Sequence, residues 1–230
     1  MTIKTLLLIL LTSFSLVINA QESPSYTVRT GFDIFKQIPA GSIYSYPQFL
    51  AGRVVYEDHN EFEALLNYNL IRADIEFINN TVDTSILTNR ENIKLVIIGI
   101  DTFYNNGSFL KAVNNYTRLN IAVEDKFAVI GRKKSRGEGH LYSTPSFMLL
   151  GATLAAWEQP STLNEDLIIA RKNFYFIGDK FNHFKPLNRK DLLGTFRAKS
   201  NRIETYLRDN DINLKKDADV AHLLTFLNQL

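Results

Sequence analysis

The densest group of charged side chains lies in the segment GRKKSRGEGH, residues 131–140. Five of its side chains could contact an anion: Arg132, Lys133, Lys134, Arg136 and His140. Cations gathered on a glycine-flanked loop could bind a phosphorylated glycolipid, an acidic glycan or an acidic protein surface. The segment is not a P-loop, because its lysines precede the second glycine. The alternative is a solvated hairpin tip whose lysines discourage aggregation through a strand edge.

A second candidate site is aromatic. Tyrosine and phenylalanine side chains in a curved sheet could line a groove for a sugar or a hydrophobic ligand. The candidates for this ligand face are Tyr44, Tyr46, Tyr56, Tyr68 and Phe77. The alternative is that the same side chains form the hydrophobic core, which is the more common role of buried aromatic residues.

The sequence lacks the usual patterns of catalytic and metal sites. It contains no cysteine, which excludes thiolate zinc sites and a cysteine nucleophile, and the G-x-S-x-G elbow of serine hydrolases is absent. None of the four histidines has a paired metal-ligand spacing, and His183, within the segment FNHF, is expected to be packed among aromatic rings. We therefore predict no catalytic residue, metal or cofactor. A hydrolase built from two carboxylates distant in sequence stays the alternative.

The first residues are typical of a secretory signal peptide. Lys4 is followed by an apolar run and a small residue, Ala20, which predicts cleavage after residue 20. The apolar run is short for a bilayer span, which needs about 20 residues, and no cysteine follows it to carry a lipid. We expect an exported periplasmic or envelope-associated protein that is neither a lipoprotein nor, after cleavage, an integral membrane protein. The near-neutral charge of +2 argues against a nucleic-acid partner.

The elements that must position these groups are predicted to be mainly strands. Residues 61–71 alternate, with Leu66, Tyr68 and Leu70 on one face and Asn67 and Asn69 on the other. Residues 72–74 form the turn of a hairpin with the strand that follows, and Asp74 is interpreted as a turn former. Residues 94–103 predict one central strand, and residues 119–132 predict a hairpin that turns at residues 124–126.

The chain changes character at Asn188. Apolar residues then recur at helical spacing and predict three short amphipathic helices, capped at the first two N-termini by Asn188 and Ser200. Such short helices are not stable alone, so their apolar faces must pack on the sheet or on each other. The apolar positions are Leu192, Leu193, Phe196, Ile203, Tyr206, Leu207, Val220, Leu223, Leu224 and Leu227.

Five short segments resemble a family of uncharacterised exported proteins of Bacteroidota. They are GRV at 52–54, LNYN at 66–69, DIEF at 74–77, KDLL at 190–193 and FLN at 226–228. The resemblance covers most of the mature chain. Its motifs are structural, so it implies an architecture and a cell-envelope location but no activity.

The sequence therefore predicts an α+β fold that is mainly β, with a signal peptide at 1–20, a β domain at 21–187 and a helical segment at 188–230. The β domain is a curved antiparallel sheet, a half-barrel or a small sandwich. The expected function is non-catalytic: binding a ligand, or an accessory or structural role, with an envelope protein, glycan or lipid as partner. The alternative is a small hydrolase that acts on envelope glycan or lipid.

Overall fold

The structure, a computed structural model, describes residues 24–29, 32–78, 83–113, 120–134, 148–149, 165–179 and 181–230. The predicted signal peptide lies outside these ranges and stays a prediction. The described residues form one antiparallel sheet of twelve strands, followed by three short α-helices. The strands are β1 Ser25–Val28, β2 Leu50–Tyr56, β3 Glu61–Asn69, β4 Asp74–Ile78, β5 Thr84–Ile86, β6 Ile93–Ile98, β7 Asp101–Asn105, β8 Phe109–Ala112, β9 Asn120–Lys134, β10 Met148–Leu149, β11 Glu165–Gly178 and β12 Phe184–Pro186. The helices are α1 Arg189–Thr195, α2 Ser200–Asp209 and α3 Asp217–Asn228.

The sheet is open and strongly curved. Its strand order is β1-β11-β9-β8-β7-β6-β2-β3-β4-β5, with β10 added beside β9 and β12 beside β11. Although β3 and β9 are far apart in this order, the amide of Phe127 donates a 2.9 Å hydrogen bond to the carbonyl of Leu70, just after β3. The sheet must curl for these two residues to meet. The prediction of a mainly antiparallel, curved sheet with a helical C-terminus is confirmed.

The longest ladder joins β9 to β11, and it corrects the predicted hairpin at residues 119–132. The two strands pair from Asn120 opposite Gly178 to Lys134 opposite Glu165, with one irregularity at residues 168 and 169. The charged triplet at 124–126 lies in the middle of β9 and not in a turn. It stays in a strand because each of its charges finds a partner within the ladder.

The apolar run at 94–103 is two strands, β6 and β7, and not the single strand predicted. The chain turns between them at Gly99 and Ile100, where Gly99 adopts a φ of +59° that suits glycine. Ile98 and Asp101 face each other across the turn. Hydrophobic content alone does not distinguish one long strand from a tight hairpin.

The β3–β4 hairpin confirms the predicted alternation but buries both of its faces. Leu66, Tyr68 and Leu70 point into the core, while Asn67 and Asn69 lie on the opposite side and are also buried. The second side is covered because residues 43–48 pair irregularly with the end of β3.

The two asparagines satisfy backbone groups that this irregular pairing leaves free. The Asn67 amide accepts from the Tyr46 N–H and donates to the carbonyls of Tyr46 and Gln48. Asn69 accepts from the two amides of the turn at 71 and 72 and donates to the Glu76 carboxylate. A buried polar group is costly unless it is paired in this way.

The hydrophobic core is divided between the inside of the curved sheet and the helices. The larger cluster collects residues from β1 to β11, among them Tyr68, Phe103 and Phe127. The predicted apolar faces of all three helices lie in a second cluster, which packs on Ile121 of β9 and Ile177 of β11. Asn188 caps α1 as predicted, accepting from the Asp191 N–H. Ser200 does not cap α2, because it is the first residue of that helix.

Candidate functional site

A buried ion pair lies at the centre of the long ladder. Glu124 and Lys126, two residues apart on β9, share one face of the strand. The Lys126 Nζ lies 2.7 Å from Glu124 Oε2, and less than a tenth of either side chain is exposed. The same Nζ lies 5.2 Å from the ring centroid of Phe174, the residue opposite Glu124 on β11. The aromatic ring and the carboxylate together offset the free-energy cost of removing the charged lysine from water.

The opposite face of the same strands carries a second charge pair. The Arg171 Nε donates to Asp125 Oδ1 at 2.8 Å, and its Nη2 donates to Asp125 Oδ2. This hydrogen-bonded contact raises the pKa of the Arg171 guanidinium. Beside it, Asn173 Nδ2 donates to the Asp217 carboxylate at the start of α3, 3.0 Å away. The ladder is thereby tied to the helical segment.

A pocket of about 280 Å³ opens beside this centre, between β11 and the segments that precede α1 and α3. Its apolar lining includes Phe174, Phe176, Leu187 and Leu214, and Glu124 contributes to one wall. Apolar pockets with a few polar groups are the usual form of small-molecule sites, and this volume is near the lower end of their range. Lys172 and Lys215 also line the pocket, and both are exposed.

A second, more open recess of about 540 Å³ adjoins the pocket. The two share Leu187, Leu214 and Lys215 in their linings, so they form one continuous groove where the sheet meets the helical segment. The recess is more polar than the pocket. Its charged residues are Arg189, Asp211, Lys215 and Lys216.

The basic segment predicted as an anion-binding loop is in part a strand. Gly131, Arg132, Lys133 and Lys134 complete β9, whereas Arg136 and His140 lie outside the described residues. In the register of the ladder Lys133 faces Asp166, and Lys134 faces Glu165. Asp166, directly across from Lys133, reduces the local positive charge at that position. Arg132 is half-buried and Lys133 is exposed.

The five aromatic candidates lie in or against the core of the curved sheet. Tyr68 is fully buried and stacks on Phe103 with ring centroids 5.4 Å apart. The hydroxyls of Tyr44 and Tyr46 each donate at 2.6 Å to a carboxylate, on Glu76 and Asp101 respectively. Burial raises the pKa of both tyrosines. Tyr56 and Phe77 are partly buried and pack against the same core.

Two buried polar groups stand out in this core. The Tyr68 hydroxyl has no hydrogen-bond partner among the described residues. Burial, and then the carboxylates of Glu124, Asp125 and Asp74, raise the pKa of this hydroxyl. Asp74, interpreted as a turn former, begins β4 and is buried. Its carboxylate accepts from Arg90 at 3.1 Å, yet burial still raises its pKa above the ordinary value.

The histidines do not form a site in the part of the chain that the structure describes. His183 was predicted to be packed, but it is exposed and contacts Asp179, with Nδ1 3.0 Å from Oδ2. His222 is exposed, as its position off the apolar face of α3 predicts. No cluster of three histidine, aspartate or glutamate side chains suited to a metal ion occurs among the described residues. None of the helices in those ranges has the length and apolar character needed to cross a bilayer.

The pocket was missed because its residues come from separate parts of the chain. The sequence nevertheless contains a signal that β9 is one continuous strand. Ile121, Val123, Phe127 and Val129 keep the same period-two phase on both sides of the charged triplet, interrupted at Asp125, and a shared phase favours one long strand over a turn. No protein-family model, curated protein or solved structure matches the chain, so the site is interpreted from its own geometry.

The buried ion pair predicts strongly non-additive effects on stability. Either Glu124→Leu or Lys126→Met leaves one buried charge without its partner, which costs about 3–5 kcal/mol in the free energy of unfolding. The double variant removes both charges and should be more stable than either single variant. Urea unfolding of the four proteins measures this coupling.

The matched control is the cross-strand pair of Arg53 and Glu61, whose atoms lie 3.0 Å apart but whose side chains are more than 40% exposed. Arg53→Met should cost at most about 1 kcal/mol. A Glu124/Lys126 double variant whose destabilisation equals the sum of the two single variants would contradict the buried-pair account.

Proposed function

We propose that this chain is an exported, non-catalytic cell-envelope protein that binds a small hydrophobic ligand in the pocket beside β11. One observation carries the proposal: an apolar pocket opens against a buried ion pair, Glu124 with Lys126, in the middle of the β9–β11 ladder. The pocket walls come from long, paired strands and from a segment anchored to the helices. A site on such rigid elements is preorganised for binding.

The lining of the pocket favours binding over hydrolysis. Among its described residues Glu124 is the one carboxylate, and Lys126 already holds it in an ion pair. Glycoside hydrolysis generally uses two carboxyl groups about 5–10 Å apart, and a serine mechanism needs a serine beside a base. The described lining contains neither arrangement, so the hydrolase is not the function we propose.

The envelope location rests on the N-terminal sequence. The cation at Lys4, the apolar run and the small residue at position 20 support export, and the absence of cysteine throughout the chain is compatible with a bacterial envelope. The resemblance to exported proteins of Bacteroidota supports the same location. The resemblance supports an envelope location and an architecture of a sheet with a helical tail, and we infer no activity from it.

Ligand binding is tested with N-phenyl-1-naphthylamine, an uncharged dye whose fluorescence rises in apolar surroundings. The protein should bind it saturably. Leu214→Trp should weaken binding at least about tenfold, because an indole fills much of a pocket of this size and a loss of 1.4 kcal/mol is tenfold in affinity. The measurement is a fluorescence titration on variants whose thermal unfolding matches that of the parent.

The matched control is Ile100→Trp, which places the same indole in the β6–β7 turn at a side chain that is 92% exposed. It should leave dye affinity unchanged. Equal affinities for the two tryptophan variants would show that the dye does not occupy the pocket and would refute the proposed site.

Export is tested by expressing the full chain in a bacterium with an envelope. We expect the protein in the periplasmic fraction with its N-terminus at Gln21, as intact-mass and N-terminal analysis would show. Ala20→Tyr should slow processing at that position, because the cleavage site requires a small residue. Cytoplasmic protein that keeps residues 1–20 would contradict this part of the proposal.

A further inference from the structure

The groove formed by the pocket and the recess has two chemically different ends. At one end Phe174, Phe176 and Leu187 surround an apolar space. At the other end the recess between the start of α1 and the segment before α3 is more polar and more open than the pocket. Lys215 belongs to both linings and therefore lies where the two ends meet.

The charges along the groove do not balance. Lys172, Lys215 and Lys216 are exposed, and no described carboxylate lies within salt-bridge distance of them. Arg189 is already paired with Glu204, 2.6 Å away, and Glu124 is paired with Lys126. Asp211 is the remaining acid in the recess. The lining itself thus carries three lysines against one aspartate, while the carboxylates of Asp217 and Asp219 lie just outside it and accept from Asn173 and from the Asn213 N–H. The excess of positive charge is confined to the lining, in a protein whose formal charge is only +2.

The buried ion pair makes an anionic ligand acceptable at the apolar end. An unpaired Glu124 carboxylate in the wall would repel a negative charge strongly in a site of low dielectric constant. Its contact with Lys126 cancels most of that field, so the lysines at the edge of the pocket determine which head group is attracted.

We infer that the ligand is a single-chain amphipathic anion, with its apolar chain in the pocket and a carboxylate, sulfate or phosphate head group on Lys172 and Lys215. This inference rests on the proposed function and names its ligand class. The volume supports one chain. About 280 Å³ is at the lower end of known ligand sites and leaves little room for the two chains of a bilayer lipid.

The inference is tested by displacing N-phenyl-1-naphthylamine with three amphiphiles that share a ten-carbon chain, each below the concentration at which it forms micelles. They are decyl sulfate, uncharged 1,2-decanediol and decyltrimethylammonium. Decyl sulfate should bind about tenfold more tightly than the diol, since two nearby cations act on its head group, and the ammonium should bind most weakly. Raising the salt to 0.5 M should reduce the preference for the sulfate, because salt screens exposed charges.

The double variant Lys172→Gln/Lys215→Gln should bind the diol as the parent does and lose its preference for decyl sulfate. Lys36→Gln/Lys94→Gln, which removes two exposed lysines outside the lining of the groove, should keep that preference. Equal affinity of the parent protein for sulfate and diol would overturn the inference while leaving the proposed function intact. A preference for decyl sulfate over the diol that persists in the Lys172→Gln/Lys215→Gln variant would also overturn the inference.

A further arm distinguishes a monomeric amphiphile from a membrane surface. The protein should not sediment with vesicles of phosphatidylcholine containing phosphatidylglycerol at 0.15 M salt. Sedimentation with these vesicles, without displacement of the dye by decyl sulfate, would overturn the single-chain ligand in favour of an anionic bilayer. If the dye itself does not bind, the proposed function fails, and this inference fails with it.

Discussion

The structure depends on pairing the charges in the middle of β9. Glu124, Asp125 and Lys126 occupy three consecutive positions on a strand that runs through the centre of the β9–β11 ladder. An isolated buried charge costs several kcal/mol, so this strand is stable only if each charge has a partner. Glu124 and Lys126 neutralise each other on one face, and Arg171 holds Asp125 on the other. Both the continuous ladder and the wall of the pocket follow from these contacts.

The same requirement shapes the β3–β4 hairpin. Its polar side is covered by residues 43–48, and Asn67 and Asn69 replace the ladder hydrogen bonds that the irregular pairing lacks. Glu76 in turn accepts from both Tyr44 and Asn69. Buried side-chain amides of this kind fix the strand register, because a shift of one residue would leave several polar groups unpaired. The hairpin is therefore a rigid part of the scaffold, and its polar residues are used for structure.

The fold was predictable where the pattern of apolar residues reports directly on burial. Period-two alternation gave the face of β3, and helical spacing gave the buried positions of α1, α2 and α3. Local patterns failed where a distant partner decides the outcome. The triplet at 124–126 has the composition of a turn, and its pairing with β11 together with the Glu124–Lys126 contact keeps it in a strand. Asn67 and Asn69 look exposed until residues 43–48 cover them.

The candidate site was less predictable than the fold. Its pocket joins Glu124, Phe174, Leu187 and Leu214, which come from widely separated parts of the chain. The basic segment at residues 131–140 was predicted to bind an anion because its charges are adjacent in sequence. In the register of the sheet, however, Lys133 and Lys134 lie opposite acidic residues, whereas Lys172 and Lys215, which are far apart in sequence, both line one apolar pocket. Charge density along a chain and charge density in space are different quantities.

Amide hydrogen exchange of the segment 121–127 tests the central claim most directly. If the charged triplet is held in the long ladder, this segment should exchange on the order of 100-fold more slowly than the β2–β3 turn at residues 57–60. Mass spectrometry of peptides from the two regions, labelled in native buffer, compares them in one experiment. Exchange of the segment as fast as that of the turn would contradict the account, because it would mean that residues 124–126 form a solvated loop.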